Sequence, residues 1–248
     1  MEHSFSSFVH EHIIEPFLSF VFPELCTICN TPLKDNESYL CTSCSHQLTV
    51  LDKAYIRALK EEIKTPFFDE LIIIYQFDPV FQTLIHLLKY QRFKGISVLF
   101  AKALQTKIKG TYDYISAVPL NSVRLRERGY NQSALIAEHL AQETSALFIP
   151  RLLERIKNTP SQTKLNREQR IKNMQDAFIS RKDLTGQTVL LVDDVITTGS
   201  TLNACARVLK SAGAKQVDIS ALATPVGIFQ KNMERAGINS LEFRDKNT

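Results

Sequence analysis

Residues 189–201 read Val-Leu-Leu-Val-Asp-Asp-Val-Ile-Thr-Thr-Gly-Ser-Thr, and few architectures can hold such a run. Four consecutive apolar residues form a strand buried on both faces, which is the pattern of a parallel sheet covered by helices. The strand runs straight into two carboxylates, then a short loop of Thr, Gly and Ser, then a helix. Carboxylates at a strand's C-terminal end, followed by a small-residue turn at a helix N-terminus, make a site for a phosphorylated sugar. The turn's N–H groups and the helix dipole hold a dianionic phosphate. Asp193 and Asp194 can hold ribose hydroxyls or a hydroxyl-bound magnesium ion. Gly199 lets the backbone approach closely. The plainer alternative is a polar αβ turn with an ordinary Ser/Thr helix cap.

Strand-like and helix-like segments alternate around this run. Leu71–Phe77, Tyr114–Pro119, a stretch near Phe148–Leu153, Phe178–Ser180, Thr188–Asp193 and Gln216–Ala223 read as strands. Asp78–Tyr90, Ile96–Lys109, Asn131–Glu143 and Thr201–Ala212 read as helices, the last ending at Gly213. That alternation predicts an α/β fold, a parallel sheet with helices on both faces. Ligands of such sheets bind beyond the strands' C-terminal ends, where Pro119 and Asp193–Thr201 lie. Residues 158–173 are polar and basic, with little periodicity, and read as a long mobile loop.

Cys26-Thr27-Ile28-Cys29 and Cys41-Thr42-Ser43-Cys44 form two CxxC knuckles with eleven residues between them. Each knuckle turns two thiolates toward one cation, so Cys26, Cys29, Cys41 and Cys44 complete a closed tetrahedral zinc shell. Such a shell is structural, because no coordination position stays open. His46 can compete as a ligand but is not needed. Cys205, in the helix after the acidic pair, reads as a small core residue.

At 248 residues with a formal net charge of +4, the chain has room for one sizeable α/β domain and a small appendage. The first 25 residues are apolar, but Glu2, Glu11 and Glu15 interrupt them and no basic segment precedes them, which argues against a signal peptide. Phe5, Phe8, Val9, Ile13, Phe17 and Phe20 recur at helical spacing, as in a helix docked on the protein's own surface. No stretch is long and apolar enough to predict a membrane span. Zinc-ready cysteines without a secretory signal suggest the reducing cytoplasm.

Residues 189–201 resemble the phosphoribosyl pyrophosphate (PRPP) loop of type I phosphoribosyltransferases. Taken with the two knuckles, the segment YISAVPLNSVRLRERGYNQS and the loop Gln162–Asn173, all in this order, the chain resembles the ComF family of competence proteins over about residues 15–223. The resemblance implies a type I phosphoribosyltransferase-like domain over 61–223, an N-terminal helix and zinc module over 1–60, and an extension over 224–248. It implies that Asp193 and Asp194 meet the ribose 2′- and 3′-hydroxyls and form the catalytic pair, Asp194 stabilising positive charge near C1. Thr197, Thr198, Gly199, Ser200 and Thr201 would hold the 5′-phosphate. The turn at Pro119, Leu120 and Asn121 would be the pyrophosphate loop, with Mg²⁺ accompanying PRPP. Arg124, Arg128 and Asn131 belong to the family's signature, and an arginine's planar fork suits phosphate oxygens. Lys164, Arg167, Arg170 and Lys172 would form a basic hood over the site.

Two functional classes follow. One is a competence protein acting in natural transformation, with its phosphoribosyltransferase-type site and with single-stranded DNA in the cytoplasm. Basic side chains outnumber acidic ones about two to one between Val118 and Lys182, which suits a phosphate track. A helicase-like partner could dock on the zinc module. The other class is an active phosphoribosyltransferase of nucleotide metabolism with no DNA role. Amination driven by glutamine is not expected, since these 248 residues leave no room for a glutaminase domain and Glu2, not cysteine, follows Met1.

Overall fold

The structure is a computed structural model and describes residues 24–63, 65–156 and 177–227. The chain forms two compact units, Met1–Leu48 and Thr49–Thr248. The predicted N-terminal helix, the basic loop over 158–173 and nearly all of the 224–248 extension lie outside the described residues.

In the smaller unit the two knuckles are folded back on each other by short backbone bonds. Thr27 N–H donates to Tyr39 O (2.9 Å), and Cys26 N–H donates to Thr31 O (2.9 Å). Helix α1 (Thr42–Ser45) carries the second knuckle. Its first turn is braced by Glu37, whose carboxylate accepts from the Thr42 N–H and hydroxyl, each at 2.6 Å, and from Lys34 N–H at 3.0 Å. The Thr42 hydroxyl, with these amides, holds the Glu37 carboxyl down at about 2.

In the larger unit, α2 (Lys53–Glu62) starts at Asp52, whose side chain accepts from Ala54 N–H. Strand β1 (Leu71–Gln76) follows, then α3 (Pro79–Tyr90) and α4 (Ile96–Gln105). Asp78 caps α3 and Pro79 opens it, a cap and a first-turn proline in their favoured places. Strand β2 (Tyr114–Ala117) leads to a short α5 (Ser122–Arg128) and to α6 (Gln132–Gln142). Strand β3 (Leu147–Phe148) and strand β4 (Glu154–Arg155) come next. Then follow β5 (Phe178–Ile179), β6 (Thr188–Val195), α7 (Ser200–Ser211) and β7 (Gln216–Thr224).

The main sheet has the order β1-β7-β6-β2-β3, and every pairing in it is parallel. Strands β4 and β5 form a separate antiparallel pair beside it. The expected α/β architecture is therefore present, and the central strands explain the apolar runs. Val189, Leu190, Leu191 and Val192 are fully buried, as are Val217, Ile219, Ala221, Leu222 and Ala223. Successive residues of β6 face opposite sides. Val189 and Leu191 join one cluster with Leu202, Cys205 and Leu209 of α7, and Cys205 is a core residue as expected. Leu190 and Val192 face the other side, where α6 packs on β2 and β6 and α4 packs on α6.

Helices α3 and α4 were legible as single stripes. Phe81, Leu84, Ile85 and Leu88 of α3 are buried, and Phe81 meets Phe100 of α4 at 5.4 Å between ring centroids. Helix α5 was not foreseen: it has no buried residue, so it leaves no apolar period to read. It is defined by its ends, Asn121 capping Val123 N–H at 2.8 Å and Gly129 closing it at φ +80°.

Phe81 is wholly enclosed. Phe81→Ala is expected to cost about 3–5 kcal/mol of unfolding free energy, read from urea denaturation followed by far-UV circular dichroism.

Candidate functional site

Strands β2 and β6 are neighbours, and the helices that follow them lie on opposite faces of the sheet. A crevice opens where such connections diverge. It is filled here by a cavity of about 610 Å³ over the C-terminal ends of the two strands. The N-terminus of α6 opens onto it through Asn131, Gln132 and Ser133, and that of α7 through Thr201. Both helix dipoles therefore present their positive ends to the cavity.

Asp193 and Asp194 line the cavity. Asp193 Oδ1 accepts from Ser133 Oγ (3.0 Å) and from Asp194 N–H (2.9 Å). Burial, reinforced by the Asp194 charge, pushes the Asp193 carboxyl well above the usual range. Asp194 is only 7% exposed and forms an ion pair through Oδ2 with Lys89, at the end of α3. Burial works to raise this carboxyl as well. The Lys89 ammonium, together with hydrogen bonds involving Asp193 and Gln132, more than offsets it, so Asp194 is held below its ordinary value. The pair is thus electrostatically split: Lys89 stabilises charge on Asp194, and burial beside Asp194 disfavours charge on Asp193.

The turn after β6 is open to an anion. Among the described residues, no protein acceptor reaches the backbone N–H groups of Thr197, Thr198, Gly199 or Thr201. Thr197 and Thr198 are exposed, and Thr198 Oγ1 lies 3.0 Å from Ser200 Oγ. Gly199 has φ +69° and caps α7. A Cβ built there would fall 2.4 Å from Ile63 Cδ1. Glycine is favoured at this position by the left-handed backbone, and a larger residue would also have to displace the Ile63 side chain. Of the five turn residues, Thr201 lines the cavity, while Thr197, Thr198, Gly199 and Ser200 form the bend beside it.

Leu120, Asn121, Arg124, Arg128 and Asn131 all line the cavity. Two of them also have structural work. Asn131 caps α6 through Ser133 N–H (3.1 Å), and its amide donates to Val118 O (2.8 Å). Asn121 caps α5. Arg124 is exposed at the mouth. Arg128 is clamped: Nη1 donates to Gln132 Oε1 (2.9 Å), Nη2 to Tyr90 Oη (3.0 Å), and its guanidinium lies 4.9 Å from the Tyr90 ring centroid. Its buried Nε has no partner among the described residues. Lys164, Arg167, Arg170 and Lys172 lie outside the described residues.

Lys89, Ser133 and Arg155 were not singled out from the sequence, yet all three line the cavity. Arg155 comes from β4, with its guanidinium 5.6 Å from the Phe178 ring centroid. No local pattern marks Lys89, because it directly follows Leu88 at the edge of the α3 stripe. Ser133 sat inside the recognised Arg-Gly-Tyr-Asn-Gln-Ser stretch without an evident role.

A scan of protein-family models matches the phosphoribosyl transferase domain over residues 97–233. Competence protein F of Haemophilus influenzae is 30% identical over 210 residues, covering 80% of this chain and 90% of that protein. The chain belongs to the phosphoribosyl transferase domain family, in its competence protein F branch. Within that branch, DNA utilization protein YhgH of Salmonella typhimurium is 28% identical over 216 residues, covering 79% of this chain and 95% of its own. Competence protein ComFC of Streptococcus pneumoniae is 32% identical over 120 residues, covering 48% of this chain and 52% of its own.

Two ions are implied by a family member of this composition. Zinc fits the four-cysteine cluster. The sulfurs of Cys26, Cys29, Cys41 and Cys44 all lie within 4.8 Å of one another, and Cys29 Sγ is 3.7 Å from Cys41 Sγ. Sulfurs bound to one tetrahedral zinc at ~2.3 Å stand about 3.8 Å apart. His46 is not part of the cluster. A divalent ion ligated by Asp194 Oδ2 does not fit, because the Lys89 ammonium already holds that oxygen. Among the described residues, no helix is long and apolar enough to cross a membrane.

Purified protein is expected to carry about one zinc per chain, measured by inductively coupled plasma mass spectrometry, and Cys41→Ser with Cys44→Ser should abolish it. Gly199→Ala is expected to cost about 1–3 kcal/mol from backbone strain alone, checked by urea denaturation.

Proposed function

We propose that the cavity over β2 and β6 binds a 5-phosphoribosyl compound, PRPP or a phosphoribosyl nucleotide, and that the protein acts in DNA uptake during natural transformation. The observation that carries the reading is convergence. A carboxylate pair, two helix N-termini, an anion-ready turn and the arginines Arg124 and Arg128 all meet at one opening.

The chemistry of each part supports this ligand. Asp193 and Asp194 suit the 2′- and 3′-hydroxyls of ribose. The turn Thr197–Thr201 suits a 5′-phosphate, because its free amides and hydroxyls offer many donors to a dianion. Leu120 and Asn121, with Arg124 and Arg128, suit a diphosphate. Magnesium, on this reading, arrives on the ligand's own diphosphate oxygens. An active transferase is the second reading. It is favoured by the acidic pair in the cavity lining, whose carboxylate oxygens suit an oxocarbenium-like C1.

The DNA role draws on the printed names of the relatives, a competence protein and a DNA utilization protein. It draws as well on the connection between α3 and α4. There Tyr90 is 60% exposed and Phe93 45% exposed, alternating with exposed Arg92 and Lys94. Exposed rings interleaved with cations suit single-stranded DNA, whose bases stack and whose phosphates pair. Lys164, Arg167, Arg170 and Lys172 would supply further phosphate-binding cations. The zinc module would serve as scaffold or as the dock of a helicase-like partner, and its thiolates suit the reducing cytoplasm.

Calorimetric titration with PRPP and magnesium tests the site: binding is expected in the native protein and should be lost in Asp193→Ala/Asp194→Ala. An intact, zinc-loaded protein with no affinity for any 5-phosphoribosyl compound rejects the reading. For DNA, fluorescence anisotropy with a labelled single strand should show log K falling with log salt, and Arg92→Ala/Lys94→Ala should flatten the slope by roughly 0.7 per lost phosphate contact. Tyr90→Ala/Phe93→Ala should weaken binding by about 1–3 kcal/mol per stacked base. Transformation that continues unchanged in a deletion strain rejects the DNA-uptake role.

A further inference from the structure

Lys89 stands apart from the rest of the cavity lining. It is the sole lysine among the described lining residues, and its ammonium reaches inward to the acidic pair. Both partners are largely enclosed, the Lys89 side chain 19% exposed and the Asp194 side chain 10%. The helix that delivers it is well anchored. Leu88 immediately before it and Phe81, Leu84 and Ile85 in the preceding turns are buried, and Tyr90 just after it packs against Arg128 and His86. The ammonium is therefore aimed by the packing of α3 and is not a surface cation that drifted into contact.

A divalent ion and an ammonium compete for the same carboxylate. Magnesium demands oxygen ligands in near-octahedral order at about 2.0–2.1 Å. At Asp194 it would meet a fixed positive charge in contact with Oδ2, in surroundings of low polarisability where repulsion between the ammonium and a second cation is poorly screened. The other carboxylate gives it little help. Asp193 Oδ1 is already taken by Ser133 Oγ and by the Asp194 N–H, and burial beside Asp194 favours its neutral form. An ammonium, by contrast, carries three donors. Asp194 occupies one, and among the described residues Lys89 makes no other hydrogen bond or ion pair.

We propose that the Lys89 ammonium is the cavity's own cation, holding the place at Asp194 that a divalent metal would take, so that the acidic pair recognises sugar hydroxyls through this ion pair and not through a carboxylate-bound metal. Lys89 then has two tasks. It fixes the Asp194 carboxylate in one orientation, and it offers its remaining N–H donors to ligand hydroxyl oxygens. The proposal rests on the phosphoribosyl reading of the cavity, and it narrows the ligand class. A ribose 5-phosphate moiety should bind with no metal present, and magnesium should matter only for ligands that bring a diphosphate.

The test uses the full zinc-loaded chain and two probes. Electron paramagnetic resonance of added Mn²⁺ reports a metal site directly. Calorimetry with ribose 5-phosphate, with and without magnesium, reports the sugar site. The native protein should bind no Mn²⁺ at the acidic pair, and magnesium should change its ribose 5-phosphate affinity less than about twofold. Lys89→Met should gain one Mn²⁺ and lose about tenfold or more in metal-free ribose 5-phosphate affinity. Lys89→Arg should resemble the native protein in both. Lys89→Met/Asp194→Asn removes both charges, stays folded if the single variant does not, and should show no Mn²⁺. Tight Mn²⁺ binding by the native protein that disappears in Asp194→Asn overturns the proposal, as does a folded Lys89→Met with native sugar affinity and no gained metal. The Mn²⁺ comparison decides Lys89 even if ribose 5-phosphate binds no variant, a result that rejects the phosphoribosyl reading alone.

Discussion

A carboxylate at the end of a fully buried strand must be given a partner or a proton. Removing it from water without compensation costs far more than the fold can supply. Two such groups stand side by side at the end of β6, and most of the surrounding architecture can be understood as the answer to them. Lys89 at the end of α3 neutralises Asp194. Ser133 in the first turn of α6 and the strand's own amide bind Asp193. The two helices that supply these partners pack on the same face, so the acidic pair is tied to the core of the sheet.

The cavity inherits its electrostatics from that arrangement. The ion pair leaves little net charge at its floor. Its walls carry Arg124, Arg128 and Arg155 and the positive ends of two helices, with Glu127 the one further carboxylate among the described lining residues. Such a space attracts an anion at its rim and offers hydroxyl-binding groups at its base. Rigidity comes from caps placed at the same rim. Asn121 and Asn131 each close a helix N-terminus, so the residues that shape the opening also hold its walls. Gly199 adds a tight turn backed by Ile63, just after α2, and among the described residues the amides of Thr197, Thr198 and Gly199 have no protein acceptor.

Much of this was legible in the chain itself, for physical reasons that differ from one element to the next. Strands β6 and β7 announced themselves because burial on both faces forces an unbroken apolar run. Helices α3, α4, α6 and α7 were readable because each buries one stripe. Helix α5 was not, since it buries nothing and depends on a cap and a terminal glycine. Helix α2 was missed as well; it has a capping Asp52, but a single buried residue, Leu59, so its periodicity is faint. The acidic pair, the bend and the zinc-ready knuckles were all local motifs, and local motifs survive in sequence.

Order along the chain thus determined the chemistry available: which side chains end a strand, which turn is built of Thr, Gly and Ser, which four thiols form the two knuckles. It determined the parallel α/β class too, because burial on two faces is written in each strand. Only the folded sheet decided what those groups face. Lys89 and Asp194 are separated by more than a hundred residues and meet because strand order β1-β7-β6-β2-β3 and the packing of α3 bring them together. A lysine following an apolar stripe looks like any solvated helix end until the other half of its ion pair arrives from a distant strand. That long-range pairing, set by topology and desolvation, is the part no local pattern encodes.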